Sequence, residues 1–229
     1  MPVYNCPGQM VSATRTDQTR KAWPVAPVYA AIGLAAALVA ATAVGFAAAL
    51  HVGPWAEEPL PVFWPVPSFT LTDQLGRPFS SSDLSGRAAL LSFVYTNCPD
   101  TCPLLTANMA QVQYKLRAQG LLGSKVQLVS ITVDPRRDTP SVLAEYAGRY
   151  QADPDAWRFL SGEPEAIYQV LWGFKLNTVE VARAFEGADV VPHSSRFAVV
   201  DPSGQVRAQP AGEETSADEI ISMLKRVLS

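Results

Sequence analysis

Cys98 and Cys102 lie four positions apart at a predicted junction between a strand and a helix, and this pair constrains the fold most strongly. The apolar run over residues 88–95 before them predicts a fully buried strand. Residues 104–117 after them carry apolar side chains at helical spacing, and Pro103 is tolerated in the first turn of such a helix. The thiols are therefore expected at a helix N-terminus, where the positive end of the helix dipole lowers the pKa of a cysteine and favours the thiolate.

The rest of the globular part predicts alternating strands and helices. Thr139-Pro140 and residues 216–219 have the pattern of helix N-termini, residues 201–204 have that of a hairpin turn, and residues 175–192 read as a loop or hairpin. Strands are predicted at 69–71, 126–133, 157–160, 197–200 and 206–208, and helices at 139–150, 163–174 and 216–228. This alternation, closed by a hairpin and a last helix, predicts an α/β fold of the thioredoxin-like type.

Two thiols this close on one turn can form a disulfide or bind one metal ion together. A purely structural disulfide is the less favoured interpretation, because closing so small a loop adds little entropic stabilisation. The spacing is C-x-x-x-C rather than the C-x-x-C of thioredoxin. Disulfide exchange and metal binding both remain open on these two residues alone.

His193 is the only histidine in the predicted globular part, since the other histidine, His51, lies at the end of an apolar span. It precedes the strand predicted at 197–200, in the region that faces the thiol turn in a thioredoxin-like sheet. Two thiolates and one imidazole are a soft set of low coordination number that suits Cu(I), whereas zinc normally takes a fourth ligand, which is not obvious here. The residues therefore favour copper, with Cys98, Cys102 and His193 as candidate ligands.

An uncharged run of 23 residues, 28–50, precedes the globular part and accounts for much of the hydrophobic fraction of 48%. As a helix it would be about 34 Å long, enough to cross a hydrocarbon core of about 30 Å. Three basic residues and one acidic residue precede it, so the positive-inside rule places the N-terminus in the cytoplasm. A cleaved signal peptide is the alternative, because residues 47–49 are alanines, but the run is longer than a signal core of roughly 7–15 residues.

These features divide the chain into a cytoplasmic leader over 1–27, one transmembrane anchor over 28–50, a Pro-rich spacer over 51–67 and a thioredoxin-like domain over 68–229. The expected location is the inner (cytoplasmic) membrane of a bacterium, with a single pass and the C-terminal domain in the periplasm. Residues 51–229 carry 15 basic and 20 acidic side chains without a basic run, which argues against nucleic acid as a partner. Cys98 and Cys102 would be exported, whereas Cys6 would stay on the reducing side.

Three segments resemble the motifs of the SCO/SenC family of copper-binding proteins. The sequence FVYTNCPDTCP at residues 93–103 is similar to the family signature. Residues 132–135 (TVDP), followed by 138–140 (DTP), resemble its second motif, and residues 193–204 (HSSRFAVVDPSG) resemble its third. The resemblance covers residues 66–229.

That resemblance implies a thioredoxin fold, an N-terminal membrane anchor and a site for Cu(I) or Cu(II) formed by Cys98, Cys102 and His193. It also implies a copper chaperone that delivers the ion to the Cu-A centre of cytochrome c oxidase. The implied partners are the oxidase subunit that bears Cu-A and a periplasmic copper donor or thiol reductant. Asp134 matches a family aspartate near the site, with a turn-capping role as the alternative. Pro192 stands where some relatives have an acidic residue.

A thiol–disulfide oxidoreductase is the alternative function, with Cys98 and Cys102 as its redox-active, catalytic pair. The thioredoxin-like turn would support such an enzyme. The wider spacing of the cysteines, and a histidine that completes a copper-binding set, favour a metallochaperone instead.

Overall fold

The computed structural model of the chain describes residues 58–99, 101–176 and 195–229, together with Val39 and Thr42. The chain divides into two compact units, residues 1–56 and residues 57–229, and the sheet and helices described below belong to the second. The predicted leader, and the predicted anchor apart from Val39 and Thr42, lie outside the described residues. Within the described ranges, no helix has both the length and the apolar character that a bilayer span requires.

The described residues form eight β-strands, four α-helices and one short 3-10 helix. The strands are β1 (Trp64–Pro65), β2 (Thr70–Asp73), β3 (Pro78–Ser80), β4 (Ala88–Val94), β5 (Val126–Thr132), β6 (Trp157–Ser161), β7 (Ala198–Val200) and β8 (Gln205–Ala208). The helices are α1 (Thr101–Ala118), α2 (Pro140–Arg149), α3 (Pro164–Gly173) and α4 (Ala217–Arg226), and the 3-10 helix (Ser81–Leu84) follows β3. Strands and helices alternate from β4 to α3, which confirms the predicted α/β class.

All eight described strands belong to one sheet, in the order β1-β8-β7-β4-β5-β6-β2-β3. The central strands β4, β5 and β6 are parallel, and the other neighbours pair antiparallel. β4 and β5 stay in register up to Val94 opposite Thr132, so the loops after both strands emerge side by side. The edge strands β1 and β3 are two and three residues long, and each contains a proline, Pro65 or Pro78.

Both faces of the sheet are covered by helices. Side chains of α1, α2 and α4 pack on one face, among them Leu105, Leu143 and Ile220. α3 packs on the other face through Ile167 and Leu171. Strands β4 and β5 are consequently buried along their whole length, which explains why β4 is apolar at every position but Ser92. The apolar faces predicted for α1 and α3 are confirmed.

The predicted helix starts are confirmed by their capping bonds. The Thr139 hydroxyl accepts a hydrogen bond from the backbone N–H of Val142 at 3.4 Å, and Pro140 occupies the first position of α2. Ser216 and Glu219 form a reciprocal capping box at the start of α4, where Ser216 N donates to Glu219 Oε2 at 2.8 Å. Such caps satisfy backbone groups that a helix itself leaves unpaired.

Residues 58–67 are the described part of the predicted spacer, and they pack on the folded domain instead of forming a separate spacer. The backbone N–H groups of Phe63 and Val66 donate hydrogen bonds of 2.9 Å to β8 and to the turn before it. Pro67 packs so closely on Gly173 of α3 that a Cβ there would lie 2.5 Å from the proline ring. A Pro-rich segment is extended, and an edge strand accommodates that conformation as well as a spacer does. The folded unit therefore begins before the predicted boundary.

Asp201 closes the turn between β7 and β8 with a buried carboxylate. Its Oδ1 accepts from the backbone N–H groups of Ser203 and Gln205 at 2.9 and 3.0 Å, and its Oδ2 accepts from Arg207 at 2.7 Å. Burial opposes the charged form, but these hydrogen bonds outweigh it and lower the pKa of Asp201 below its ordinary value. The turn therefore depends on an ionised carboxylate.

Acid should weaken this turn, and Asp201→Asn should reduce that sensitivity. Because its folded pKa is lowered, Asp201 contributes stability above the unfolded value of about 3.9 that is lost as the pH falls through the folded value. We expect the urea midpoint of Asp201→Asn to fall less than that of the wild type between about pH 7 and about pH 3. The exposed Asp155→Asn is the control, and a fall as steep in Asp201→Asn as in Asp155→Asn would contradict the prediction.

Candidate metal centre

The two cysteines lie at the carboxyl end of β4, as predicted, and neither forms a disulfide. β4 ends at Val94, and the turn after it is closed by Cys98 N–H, which donates to the Tyr95 carbonyl at 3.3 Å. Cys102 is the second residue of α1. Cys98 and Cys102 are 9% and 5% exposed, and they pack with Val94 and Tyr95. The thiols therefore lie together just below the surface.

The pKa of Cys102 is shifted in the direction opposite to the prediction from the helix dipole. Burial raises this pKa to about 12, and the neighbouring Cys98 adds to the increase, whereas hydrogen bonds from the Tyr95 backbone and the Thr101 side chain oppose it. The prediction was wrong because burial penalises the thiolate more than the helix terminus favours it. Cys102 is therefore a thiol at neutral pH, and a metal ion that binds there must displace its proton.

Tyr95 was given no role by sequence reasoning, yet its side chain borders the two thiols. Burial raises the pKa of its phenol to about 12, and a hydrogen bond with Cys98 adds to the shift, as does the negative charge of Asp134. The phenol is therefore neutral at neutral pH and remains hydrogen-bonded to the first thiol. The signal available in the sequence was its position at the end of the predicted buried strand, three residues before Cys98.

The backbone carbonyl of Cys102 is held by two side chains of the helical layer. Thr106 Oγ1 donates to it at 2.8 Å and shares a 2.9 Å hydrogen bond with the hydroxyl of Tyr146 in α2. Tyr146 shares its one hydroxyl hydrogen between Thr106 Oγ1 and the Cys102 carbonyl, which is 3.5 Å away, and burial raises the pKa of this tyrosine, which keeps it neutral. Cys102 is therefore fixed to both α1 and α2.

Asp134 follows β5, and its contacts fit the turn-capping interpretation. Its Oδ2 accepts from Arg137 at 2.8 Å, and its backbone carbonyl accepts from the N–H groups of Arg137 and Asp138 at 3.1 and 2.9 Å. Its charge also raises the pKa of Tyr95, the residue that borders the thiols. The ion pair is exposed on the Arg137 side and contributes little to stability.

His193 lies outside the described residues, and the chain is described again from Ser195. The Ser195 carbonyl accepts a hydrogen bond from Gly212 N–H at 2.6 Å. A Cβ on Gly212 would lie 1.9 Å from Cδ2 of Leu105 and 3.0 Å from the Ser195 oxygen, so only glycine fits between them. Leu105 is three residues after Cys102 in α1. Ser195 therefore lies beside the helix that carries the second thiol.

Of the three predicted ligands, the structure brings together Cys98 and Cys102 and does not test His193. Within the described residues, no group of three or more His, Cys, Asp or Glu side chains is arranged to hold a metal ion. The chemistry of the two sulfur donors fits a soft ion such as Cu(I).

A mixed sheet between helical layers, with two reduced cysteines where a central strand meets a helix, defines a thioredoxin-like dithiol protein. The chain belongs to the SCO1/SenC family, since the model of that family matches residues 65–229. The resemblance drawn from the three sequence motifs is thereby confirmed.

Related proteins share both the sequence and the fold. The chain is 36% identical over 168 residues to the SCO1 protein homolog of Bacillus subtilis, an alignment that covers 72% of this chain and 83% of the relative. The structure of BsSco, a member of the Sco family of cytochrome c oxidase assembly proteins in which a disulfide switch was identified, matches with a TM-score of 0.61 and 33% identity, over 76% and 97% of the two chains. The structure of Bradyrhizobium japonicum ScoI with copper bound matches with a TM-score of 0.57 and 30% identity, over 71% and 99%.

Proposed function

We propose that this protein binds copper through Cys98, Cys102 and His193 and delivers it to the Cu-A centre of cytochrome c oxidase. The observation that carries the proposal is the pair of adjacent, buried cysteines at the end of β4, neither of which forms a disulfide. Thiolates are soft ligands that select Cu(I). The relatives add support, because one was solved with copper bound and another belongs to the cytochrome c oxidase assembly proteins.

The position of Ser195 supports His193 as the third ligand. Two residues of extended chain span at most about 7 Å, and Ser195 is held beside Leu105 of α1 through Gly212. In this proposal, the two-residue link to Ser195 lets His193 reach the helix that carries Cys102. Because the imidazole comes from a different segment than the thiols, it can leave the ion without moving them, which suits delivery better than storage.

The proposal includes a membrane anchor and a periplasmic location. The anchor is the single span over 28–50, with the leader 1–27 in the cytoplasm and the folded domain outside. Its support is the uncharged run of 23 residues after a basic leader. The partners would be the oxidase subunit that bears Cu-A and a periplasmic copper donor or thiol reductant.

A thiol–disulfide oxidoreductase is the second candidate, favoured by the contact between the Cys98 and Cys102 side chains. Two thiols in contact can be oxidised to a disulfide, and a disulfide switch was identified in the related BsSco. Nucleophilic attack needs a thiolate, and burial keeps Cys102 protonated, so the attack would fall to Cys98. Copper binding needs no free thiolate before the ion arrives, since the ion itself displaces the proton.

The two histidines of the chain provide a matched test of the third ligand. We expect His193→Ala to weaken Cu(II) binding by at least about tenfold, which is about 1.4 kcal/mol, and Cu(I) binding by less. The reason is softness, because two thiolates alone can hold Cu(I), whereas Cu(II) benefits from an imidazole and more ligands. Titration of the full chain against a competing chelator, with absorption spectra of the Cu(II) form, measures both effects.

His51→Ala is the control, since His51 is the only other histidine and lies at the end of the predicted anchor. This variant should bind both ions like the wild type. Unchanged spectra and affinities in His193→Ala would remove His193 from the site and favour the oxidoreductase. A wild-type chain that binds neither copper ion would overturn the proposed function.

A further inference from the structure

Asp138 is a buried carboxylate in the turn between β5 and α2, and its hydrogen bonds reach the loop that carries Cys98. It is 1% exposed. Thr96 donates to it twice, from its backbone N–H to Oδ2 at 3.1 Å and from its hydroxyl to Oδ1 at 2.6 Å. Thr132, the last residue of β5, donates its hydroxyl to Oδ2 at 2.6 Å. One carboxylate therefore joins the ends of two neighbouring parallel strands.

Thr96 lies inside the turn that presents the first thiol. That turn runs from Tyr95 to Cys98 and begins directly after β4, whose last residue accepts a hydrogen bond of 2.9 Å from Val133 N–H. Beyond this point, the two bonds from Thr96 to Asp138 hold the turn against the neighbouring strand. Two hydrogen bonds from one residue to both oxygens of one carboxyl group fix the distance and the orientation of the turn.

Cys102 is held independently, because Thr106 and Tyr146 bind its backbone carbonyl. The separation of the two sulfurs thus depends on two separate anchors. We infer that Asp138 is a positioning residue, which fixes the Cys98 loop so that the two sulfurs lie where they can share one ion. The reason for positioning the two sulfurs rests on the proposed copper function. The experiment that tests the positioning by Asp138 does not depend on copper.

The hydrogen bonds of Asp138 distinguish a positional role from an electrostatic one. In Asp138→Asn, the amide oxygen at the Oδ2 position can accept from Thr96 N–H and from the Thr132 hydroxyl, while the amide NH2 donates to Thr96 Oγ1. Asparagine therefore keeps all three bonds and removes the charge. Alanine removes the bonds together with the charge. If position matters, asparagine should behave like the wild type and alanine should not.

The equilibrium of the thiol pair with glutathione tests this inference without copper. The protein dithiol and one oxidised glutathione give the protein disulfide and two reduced glutathiones, so two electrons and two protons pass to glutathione. The full chain is used with Cys6→Ser, which removes the third thiol. We expect Asp138→Ala to lower the equilibrium constant for oxidation about tenfold, because a loose loop lowers the effective concentration of one thiol near the other. Asp138→Asn should stay within about twofold of the wild type.

Asp201→Ala is the matched control for a general loss of stability. Asp201 is likewise buried and accepts hydrogen bonds from the backbone N–H and the hydroxyl of Ser203, at 2.9 and 2.6 Å. It follows β7, whose Val200 pairs with Ala89 near the start of β4, whereas the thiols follow the end of β4. Asp201→Ala should therefore reduce the urea midpoint but leave the glutathione equilibrium unchanged.

Thr96→Val provides a second variant should Asp138→Ala fail to fold. It removes only the 2.6 Å hydroxyl bond and should lower the constant about threefold. An unchanged constant in Thr96→Val and in any folded Asp138→Ala would overturn the inference, as would an equal shift in Asp201→Ala. If the glutathione equilibrium constant shifted as much in Asp138→Asn as in Asp138→Ala, the charge of Asp138 and not its hydrogen bonds would be the cause. If the wild-type chain binds no copper, the proposed function fails, whereas the shift in the glutathione constant still establishes the positioning role.

Discussion

Cys102→Ser is expected to abolish stoichiometric Cu(I) binding by the full chain. A serine hydroxyl is a hard donor that does not ionise near neutral pH, so the site loses one of its two soft ligands. Mutation of a residue that only hydrogen-bonds to a metal ligand lowers metal affinity roughly 10- to 100-fold. The loss of a ligand itself should lower the Cu(I) affinity by more than that. The fold should persist, because Cys102 forms no disulfide and Thr106 and Tyr146 bind its carbonyl rather than its sulfur. Competition with a Cu(I) chelator measures the affinity, and circular dichroism checks the fold.

Cys6→Ser is the control for this experiment, since Cys6 lies in the predicted leader. It should bind Cu(I) with the affinity of the wild type. Wild-type affinity in Cys102→Ser would exclude the second thiol as a ligand and would refute the three-ligand site.

Oxidation of the thiol pair is expected to remove Cu(I) binding reversibly. A disulfide between Cys98 and Cys102 uses both sulfurs in a covalent bond, so neither can act as a thiolate ligand. The two side chains are already in contact in the reduced structure. The full chain with Cys6→Ser, oxidised by diamide, should bind less than about a tenth of the copper bound by the reduced chain. Reduction with a phosphine should restore one equivalent.

Cys98→Ser separates this gating from unspecific damage by the oxidant. In the Cys6→Ser background this variant has one thiol and cannot form the disulfide, so its residual copper binding should be the same before and after treatment. Equal copper uptake by the reduced and the fully oxidised chain would contradict the gating, because it would require ligands other than the two thiols.

The parts of the fold that were predicted correctly depend on neighbouring residues. Thr139 with Pro140, and Ser216 with Glu219, mark the starts of two helices through interactions that span at most three residues. Strand β4 is equally evident, because burial on both faces makes six of its seven residues apolar, whereas β5 combines four apolar residues with Gln127, Ser130 and Thr132. The thiol turn was located correctly because it lies between two such strong local signals.

The features that were missed depend on distant parts of the chain. The positioning role inferred for Asp138 requires Thr96, which lies 42 residues earlier, and no local pattern links the two. β1 is two residues long and exists only because it pairs with β8, near the other end of the chain. The raised pKa of Cys102 comes from burial by the assembled layers, which its position at a helix N-terminus does not reveal.

The two ends of the sheet are poor templates for a further strand. Exposed sheet edges can recruit strands from other molecules, which is how edge-to-edge aggregation begins. Here the end strands are only two and three residues long, and Pro65 and Pro78 lack the N–H that an added strand would need as a donor. The eight-stranded sheet is therefore protected from backbone self-association, and encounters with other molecules are left to the side chains of its loops and helices.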